Sequence, residues 1–156
     1  MKKDKQNRKI AENRKARHDY DILERYEAGI ELVGCEVKSL QESNAQLVDS
    51  FCMIREGECW LNNMHISPYS HGNLNNPDPN RKRKLLLHKR EIRKLSEKIE
   101  EKGLALVPLS LYYSKRGKVK VELALARGRK LHDKREVMKK KTVEREIDRA
   151  LKMRSR

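Results

Sequence analysis

A chain of 156 residues that is 37% hydrophobic and 39% charged has material for one compact core and little beyond it. Its 38 Lys/Arg against 23 Asp/Glu give a net charge of +15, which points to a polyanionic partner and away from small neutral substrates. No apolar run approaches the roughly 20 residues of a membrane span, the start MKKDKQNRKI lacks the core of a signal peptide, and Cys35, Cys52 and Cys59 show no C-x-x-C spacing, so a cytoplasmic protein with three buried thiols is expected.

Residues 1–17 have almost no apolar content and read as a basic N-terminal arm that contributes nothing to the core. From Tyr20 the pattern turns to β: YDILERY and IELVGCEVKSL read as two strands joined at Glu27-Ala28-Gly29. SFCMI and CWLNNMHI flank Arg55-Glu56-Gly57-Glu58 as a hairpin. The stretch SPYSHGNLNNPDPNRKR, from Ser67 to Arg83, holds three of the four prolines and reads as a long binding loop ending in consecutive bases. Ile92, Leu95 and Ile99 fall at helical spacing between His88 and Lys102, with Gly103 at the C-terminal stop. LALVPLSLYY and KVKVELALA then form a second hairpin about Ser114-Lys115-Arg116-Gly117. In the latter strand Val119, Val121, Leu123 and Leu125 mark one face, and Lys118, Lys120, Glu122 and Ala124 the other.

Four strands, a helix and two further strands suit a mainly β fold, an oligonucleotide-binding-like antiparallel barrel over residues 18–128 with a covering helix. Closure is left open by the sequence, a half-open sandwich being the alternative. Residues 129–156 carry a thin apolar stripe, Val143, Ile147, Ala150 and Leu151, too narrow for a helix to stand alone. They are expected to be a basic tail, disordered when free and helical on a phosphate-rich partner.

Charge is unevenly placed. Residues 1–17 hold eight Lys/Arg and two acids, and residues 127–156 hold thirteen and five, so the ends carry +14 of the +15. Within the middle, Arg81 to Lys84 with Lys89, Arg90, Arg93 and Lys94 surround the single acid Glu91. Three basic runs around an otherwise acidic centre favour nucleic acid over a merely solvated surface. No zinc spacing links Cys59, His65 and His71, and no phosphate-binding or nucleophile motif is present, so neither metal, cofactor nor enzymatic activity is expected. Asp19, Asp21, Glu24 and Glu27 are close in sequence but do not share a strand face, as a metal-dependent nuclease would require. Aromatic content of 4% argues against single-strand binding by stacking alone, although Tyr20, beside His18 and the basic arm, offers a ring and a hydroxyl to a nucleotide.

NRKARHDYDI (13–22), YEAGIELVGCEVKSL (26–40), DPNRKRKLLLHKREI (78–92) and GKVKVELALARGRKLHDKR (117–135) resemble the small protein B family, the SsrA-binding proteins of bacterial trans-translation. The resemblance runs nearly end to end. It implies a barrel that grips the tRNA-like domain of transfer-messenger RNA and accompanies the alanylated RNA to ribosomes stalled without a stop codon. It also implies a monomer whose links to elongation factor Tu and alanyl-tRNA synthetase run indirectly through the RNA. By position, Asn13, His18, Tyr20, Glu27, Lys38, Leu86, His88 and Lys118 would face that RNA, joined by the basic Lys15, Arg17 and Lys84. Glu27 would act as an acceptor for base or sugar donors, since a carboxylate repels phosphate. The tail would enter the empty messenger channel of the small subunit and meet its ribosomal RNA. Arg129, Lys130, His132, Asp133, Lys134 and Arg135 would lie near the decoding centre, and Lys139, Lys140, Lys141, Arg145 and Ile147 along the channel. Two departures stand out: Gly128-Arg129-Lys130 replaces Gly-Lys-Lys, and Val143 stands where some relatives have an aromatic. The main rival reading is a ribosomal protein, which would occupy every ribosome rather than stalled ones.

Overall fold

The computed structural model describes residues 8–71, 76–129 and 131–154. The chain runs β1 (Arg8–Glu12), α1 (Arg14–Asp19), β2 (Tyr20–Ile30), α2 (Gly34–Gln41), β3 (Ala45–Gln46), β4 (Phe51–Arg55), β5 (Glu58–Asn62), β6 (His65–Ile66), β7 (Arg83–Leu86), α3 (Lys89–Lys102), β8 (Ala105–Tyr113), β9 (Val119–Gly128) and α4 (Leu131–Arg154). All pairings are antiparallel, in the order β1-β8-β4-β5-β7-β2-β9, and β9 pairs back onto β8. The sheet therefore closes into a six-stranded barrel with β1 attached outside the ring, which removes the exposed edges that an open sheet would leave. The short pair β3–β6 lies beside it.

The core shows why closure holds. Leu61, Leu85, Leu95, Leu106, Leu111, Val121, Leu123 and Leu125 are all buried in one cluster fed by every strand of the ring and by α3. Gly103 takes the left-handed conformation at φ 60° and ends α3 where the sequence placed a stop. The β4–β5 turn is as tight as a hairpin allows: Arg55 pairs with Glu58, and Glu56 and Gly57 both have positive φ.

The N-terminal segment is not the detached arm expected. β1 pairs with β8 from Arg8↔Tyr113 to Glu12↔Ser110, and Ile10, Asn13 and Ala16 are buried. The Asn13 amide donates to the Pro108 carbonyl at 3.0 Å, its Oδ1 accepts from Ala16 N–H at 3.1 Å, and its own N–H donates to Leu109 O at 2.7 Å. Asn13 is thus the N-cap of α1 and the lock of that helix onto β8, so its burial removes it from any surface offered to RNA. α1 in turn covers Val107, Leu109, Ala124 and Ala126, which is why Ala124 is buried although the alternation of β9 put it on the outer face. Few apolar residues are needed for this second cluster because small alanines let helix and sheet approach closely.

Two further expectations change. β2 continues through Glu27, Ala28 and Gly29 without turning, paired with β9 throughout, and β7 packs so close at Gly29 that an added Cβ would sit 3.2 Å from that of Leu86. The following segment is helix α2, with Glu36, Ser39 and Leu40 on its buried face at helical spacing. The basic end of the long loop is also turned inward. Arg83 is fully buried and donates to Glu36 at 2.6 Å, to Met64 O at 2.6 Å and to Pro79 O at 3.0 Å, while Arg81 makes a second ion pair with Glu36. Residues 72–75 of that loop lie outside the described residues. Cys52 and Cys59 are buried in β4 and β5 and burial pushes the Cys52 thiol up, but Cys35 is only half-buried; no disulfide joins them.

Burial pushes the Glu36 carboxyl up, yet the hydrogen bonds from Arg81, the Val33 N–H and Arg83 outweigh it and hold the group below the ordinary value of 4.5. Its contribution is therefore present above that value and is lost as pH falls through the lower folded one. Glu36→Gln leaves the Arg83 guanidinium buried without a counter-charge and is expected to cost about 3–5 kcal/mol by urea unfolding at pH 7. The gap to the native protein should narrow when the same titration is run below pH 4.5. Asn13→Ala should cost about 1–2 kcal/mol in the same assay, with RNA affinity at low temperature otherwise retained.

Candidate nucleic-acid interface

The β2–β9 register places Glu27 directly opposite Glu122 and Gly29 opposite Lys120, while β7 sets Leu86 against Gly29. Glu27, Glu122, Lys120 and Leu86 therefore share the outer face of the barrel. Around Glu27 lies a surface notch lined by Lys9, Arg25, Ser110, Tyr112 and Glu122. Two carboxylates side by side would repel each other, and separate partners prevent this. Glu122 accepts from Arg25 at 3.2 Å and from Ser110 Oγ at 3.0 Å, and Glu27 accepts from the Tyr112 hydroxyl. Burial, followed by the Glu27 hydrogen bond, pushes the Tyr112 phenol up, so it stays a donor at neutral pH. Glu27 accepts that one hydrogen bond and has acceptor capacity left over, suited to amino groups or ribose hydroxyls and unsuited to phosphate. Leu86, half-exposed at 49%, is an uncovered apolar neighbour.

The remaining positions singled out from sequence separate into three kinds. Lys15 pairs with Asp49 at 2.8 Å, Lys84 with Glu58 at 3.1 Å, and Arg17 lies 3.5 Å from Glu12. These cations are engaged within the fold. His18 sits in α1 rather than on a strand face, with Nδ1 3.0 Å from Asp19 Oδ1 and Nε2 buried without a hydrogen-bond partner among the described residues; Tyr20 starts β2 and packs on the second cluster. Lys38 Nζ stands 5.4 Å over the Tyr69 ring, His88 is exposed at the start of α3, and Lys118 is exposed where the β8–β9 turn ends. Tyr112, Arg25 and Lys120 were not assigned from sequence. Their role follows from cross-strand register, which alternation alone does not supply.

The four acids near the start of β2 have separate partners. Asp19 meets His18, Asp21 meets Arg129 at 3.3 Å, and Glu24 accepts from Lys98 at 2.6 Å and Tyr26 at 2.5 Å. The Lys98 and Tyr26 hydrogen bonds hold the Glu24 carboxyl low, and burial with Glu24 nearby pushes the Tyr26 phenol up to about 12. Among the described residues no three His, Cys, Asp or Glu gather as a metal site.

At the other end, Arg129 departs from its expected place in the tail. Its N–H donates to Asp19 O at 2.9 Å and its guanidinium reaches His18 O at 3.2 Å and Asp21, so it belongs to the barrel. Beyond it stands α4. Every side chain from Met138 to Arg154 is exposed, including Lys139, Lys140, Lys141 and Arg145. Val143, Ile147 and Leu151, at four-residue spacing, are 53%, 53% and 59% exposed. Lys130 lies outside the described residues, and so do the side chains of His132, Asp133, Lys134 and Arg135. Among the described residues no helix is long and apolar enough to cross a membrane.

Comparison with known proteins agrees with this arrangement from end to end. The family model described as SmpB protein matches residues 10–153. An SsrA-binding protein of Syntrophobacter fumaroxidans is 60% identical over 147 residues, covering 94% of this chain and 91% of its own, and one of Clostridium botulinum is 58% identical over 156 residues, covering 100% and 99%. A solved chain described under "tmRNA-SmpB: a journey to the center of the bacterial ribosome" is 57% identical, with a TM-score of 0.64 over 77% of this chain and 84% of that one. On a match of this extent, the chain belongs to the SmpB family.

Proposed function

We propose that this chain is an RNA-binding adaptor that holds the tRNA-like domain of transfer-messenger RNA with its barrel and presents it to stalled ribosomes, with α4 probing the empty messenger channel. The observation that carries the reading is the exposure of every side chain from Met138 to Arg154 on a 24-residue helix joined to a closed barrel. A helix of that length is about 36 Å long. It buries nothing of its own stripe, so a partner must supply the contacts that a free amphipathic helix lacks. Its basic side chains suit a channel walled by ribosomal RNA. The relatives' name, SsrA-binding protein, and the tmRNA-SmpB structure on the ribosome support the same pair of partners.

Within this reading the barrel, with β1 and α1, is one unit ending at Arg129, and the tail begins beyond it. Glu27 and Tyr112 read nucleotide donors on the outer face, flanked by Leu86, His88, Lys118 and Lys38. His18 offers its buried, unpartnered Nε2 beside Tyr20. Lys15, Arg17 and Lys84 set the surface potential through exchangeable ion pairs. Lys130 to Arg135 would meet the decoding centre, and Lys139 to Lys141, Arg145 and Ile147 the channel. The chain itself performs no catalysis in this role and acts as a monomer in the cytoplasm, meeting elongation factor Tu and alanyl-tRNA synthetase through the bound RNA.

The test separates the two halves. Removal of residues 130–156, sparing Arg129, is expected to leave affinity for the tRNA-like domain within about threefold and to abolish peptide tagging in a reconstituted translation system. Loss of RNA binding on that truncation would overturn the division of labour. On the barrel, Glu27→Gln keeps an acceptor for the Tyr112 hydroxyl and should weaken the preference for this RNA over ordinary tRNA less than Glu27→Ala does. Equal losses, measured by competition at about 0.15 M salt, would refute Glu27 as a reader of nucleotide donors.

A further inference from the structure

On the opposite side of β8 from the Glu27 notch, the barrel carries a second cavity of about 550 Å³. Successive strand residues face opposite ways, so Tyr112 lines the notch while Tyr113 lines this cavity. Its rim carries Arg8, Lys115 and Arg116, with Gln41 of α2 and the Ser114–Gly117 turn. Among the described residues the lining has no carboxylate. The Glu27 notch contains two glutamates, and the two cavities at the β4–β5 turn contain two and three. None of Arg8, Lys115 and Arg116 has an ion-pair partner among the described residues, unlike the paired cations at Lys15, Arg25, Lys84 and Lys98.

Two observations indicate that the cluster is built rather than incidental. The turn is rigid: Ser114 N–H donates to Lys118 O at 2.8 Å, Gly117 N–H to Ser114 O at 2.9 Å and Lys118 N–H to Ser114 Oγ at 3.2 Å, with Gly117 at φ 79°. Lys115 and Arg116 are thus held at a fixed tip, and Arg8 is fixed opposite Tyr113 by the β1–β8 register. The second is Tyr113, whose side chain lines the cavity and whose buried hydroxyl has no hydrogen-bond partner among the described residues. A buried hydroxyl left unpaired costs about 1–3 kcal/mol, a cost recovered when the hydroxyl turns outward to meet an acceptor in the cavity.

We propose that this cavity is a phosphate-binding site, distinct from the Glu27 surface, in which Arg8, Lys115 and Arg116 neutralise the anion and Tyr113 and Gln41 donate to its oxygens. Three cations and two neutral donors match a tetrahedral anion with several acceptor oxygens better than a planar carboxylate with two. The phosphate comes either from the RNA backbone or from a free phosphoryl ligand. Only the first source rests on the adaptor reading above.

The experiment uses the full chain. In the first arm inorganic phosphate is titrated at constant ionic strength while the amide resonances of 114–117 are followed. The native protein should show saturable shifts there, and Tyr113→Phe, which leaves the charge unchanged, should weaken them about tenfold. Absence of shifts at these amides, or equal titration by Tyr113→Phe, overturns the site. In the second arm the salt dependence of binding to the tRNA-like RNA is compared between the native chain, Arg8→Gln/Lys115→Gln/Arg116→Gln and the charge-matched Lys89→Gln/Arg90→Gln/Lys94→Gln. Backbone phosphate as the source predicts a slope lower by about two units for the first triple variant and a smaller change for the second, at roughly 0.7–0.9 per lost contact. Phosphate shifts with unchanged RNA slopes assign the site to a free phosphoryl ligand. Failure of the native chain to prefer transfer-messenger RNA would overturn the adaptor reading and leave the first arm to decide the site.

Discussion

The position of nearly every surface described depends on one buried ion pair. Arg83 has no exposed surface, and its guanidinium is held by Glu36 of α2, by Met64 O and by Pro79 O. Those contacts tie α2, the end of β5 and the end of the long loop to the first residue of β7. Burying a guanidinium and a carboxylate is costly, and the pair is tolerated because the polar atoms around it are satisfied. The return is geometric. With Arg83 anchored, β7 enters the ring in one register, Leu86 lies on Gly29, and His88 starts α3 where Lys98 reaches Glu24 across the barrel.

The same principle explains how a strongly basic chain keeps a discriminating surface. Unpaired cations attract every polyanion alike, with affinity set mainly by charge and salt. On the barrel, Lys15, Arg25, Arg81, Arg83, Lys84, Lys98 and Arg129 are all engaged by carboxylates. Among the described residues, cations outside these ion pairs remain on α3, at Lys89, Arg90, Arg93 and Lys94, and at the rim of the cavity at the β8–β9 turn, and α4 adds its exposed bases. The Glu27–Glu122 pair on the outer face is a place where two carboxylates disfavour phosphate.

Periodicity carried much of this fold, and its failures have a common cause. α3, the β4–β5 hairpin and the β8–β9 hairpin follow from spacing and turn residues that act locally. α2 was missed because Glu36 and Ser39, polar residues on its buried face, break the apolar pattern; what makes them fit is Arg83, 47 positions on from Glu36, and Ser67 O, 28 positions on from Ser39. The arm was missed for the matching reason. Ile10, Asn13 and Ala16 are too few and too small to signal a core, and only β8, some hundred residues on, gives them one. Glu27 was legible through resemblance, but its partner Tyr112 was not, since the contact spans 85 positions and depends on barrel closure.

Arg129 marks the end of the barrel, one position before the segment that leads into α4. Its N–H extends the last strand by one bond to Asp19 O, and its side chain closes on His18 O and Asp21, so the chain leaves the barrel at a fixed point. A rigid exit matters because a helix about 36 Å long turns a small angular error at its root into a large displacement at its tip. Arginine at this position suits that demand, for the planar guanidinium holds a carbonyl and a carboxylate at once whereas an ammonium would do so without fixed direction. The donor geometry at residue 129 therefore fixes the point and direction at which the chain leaves the barrel.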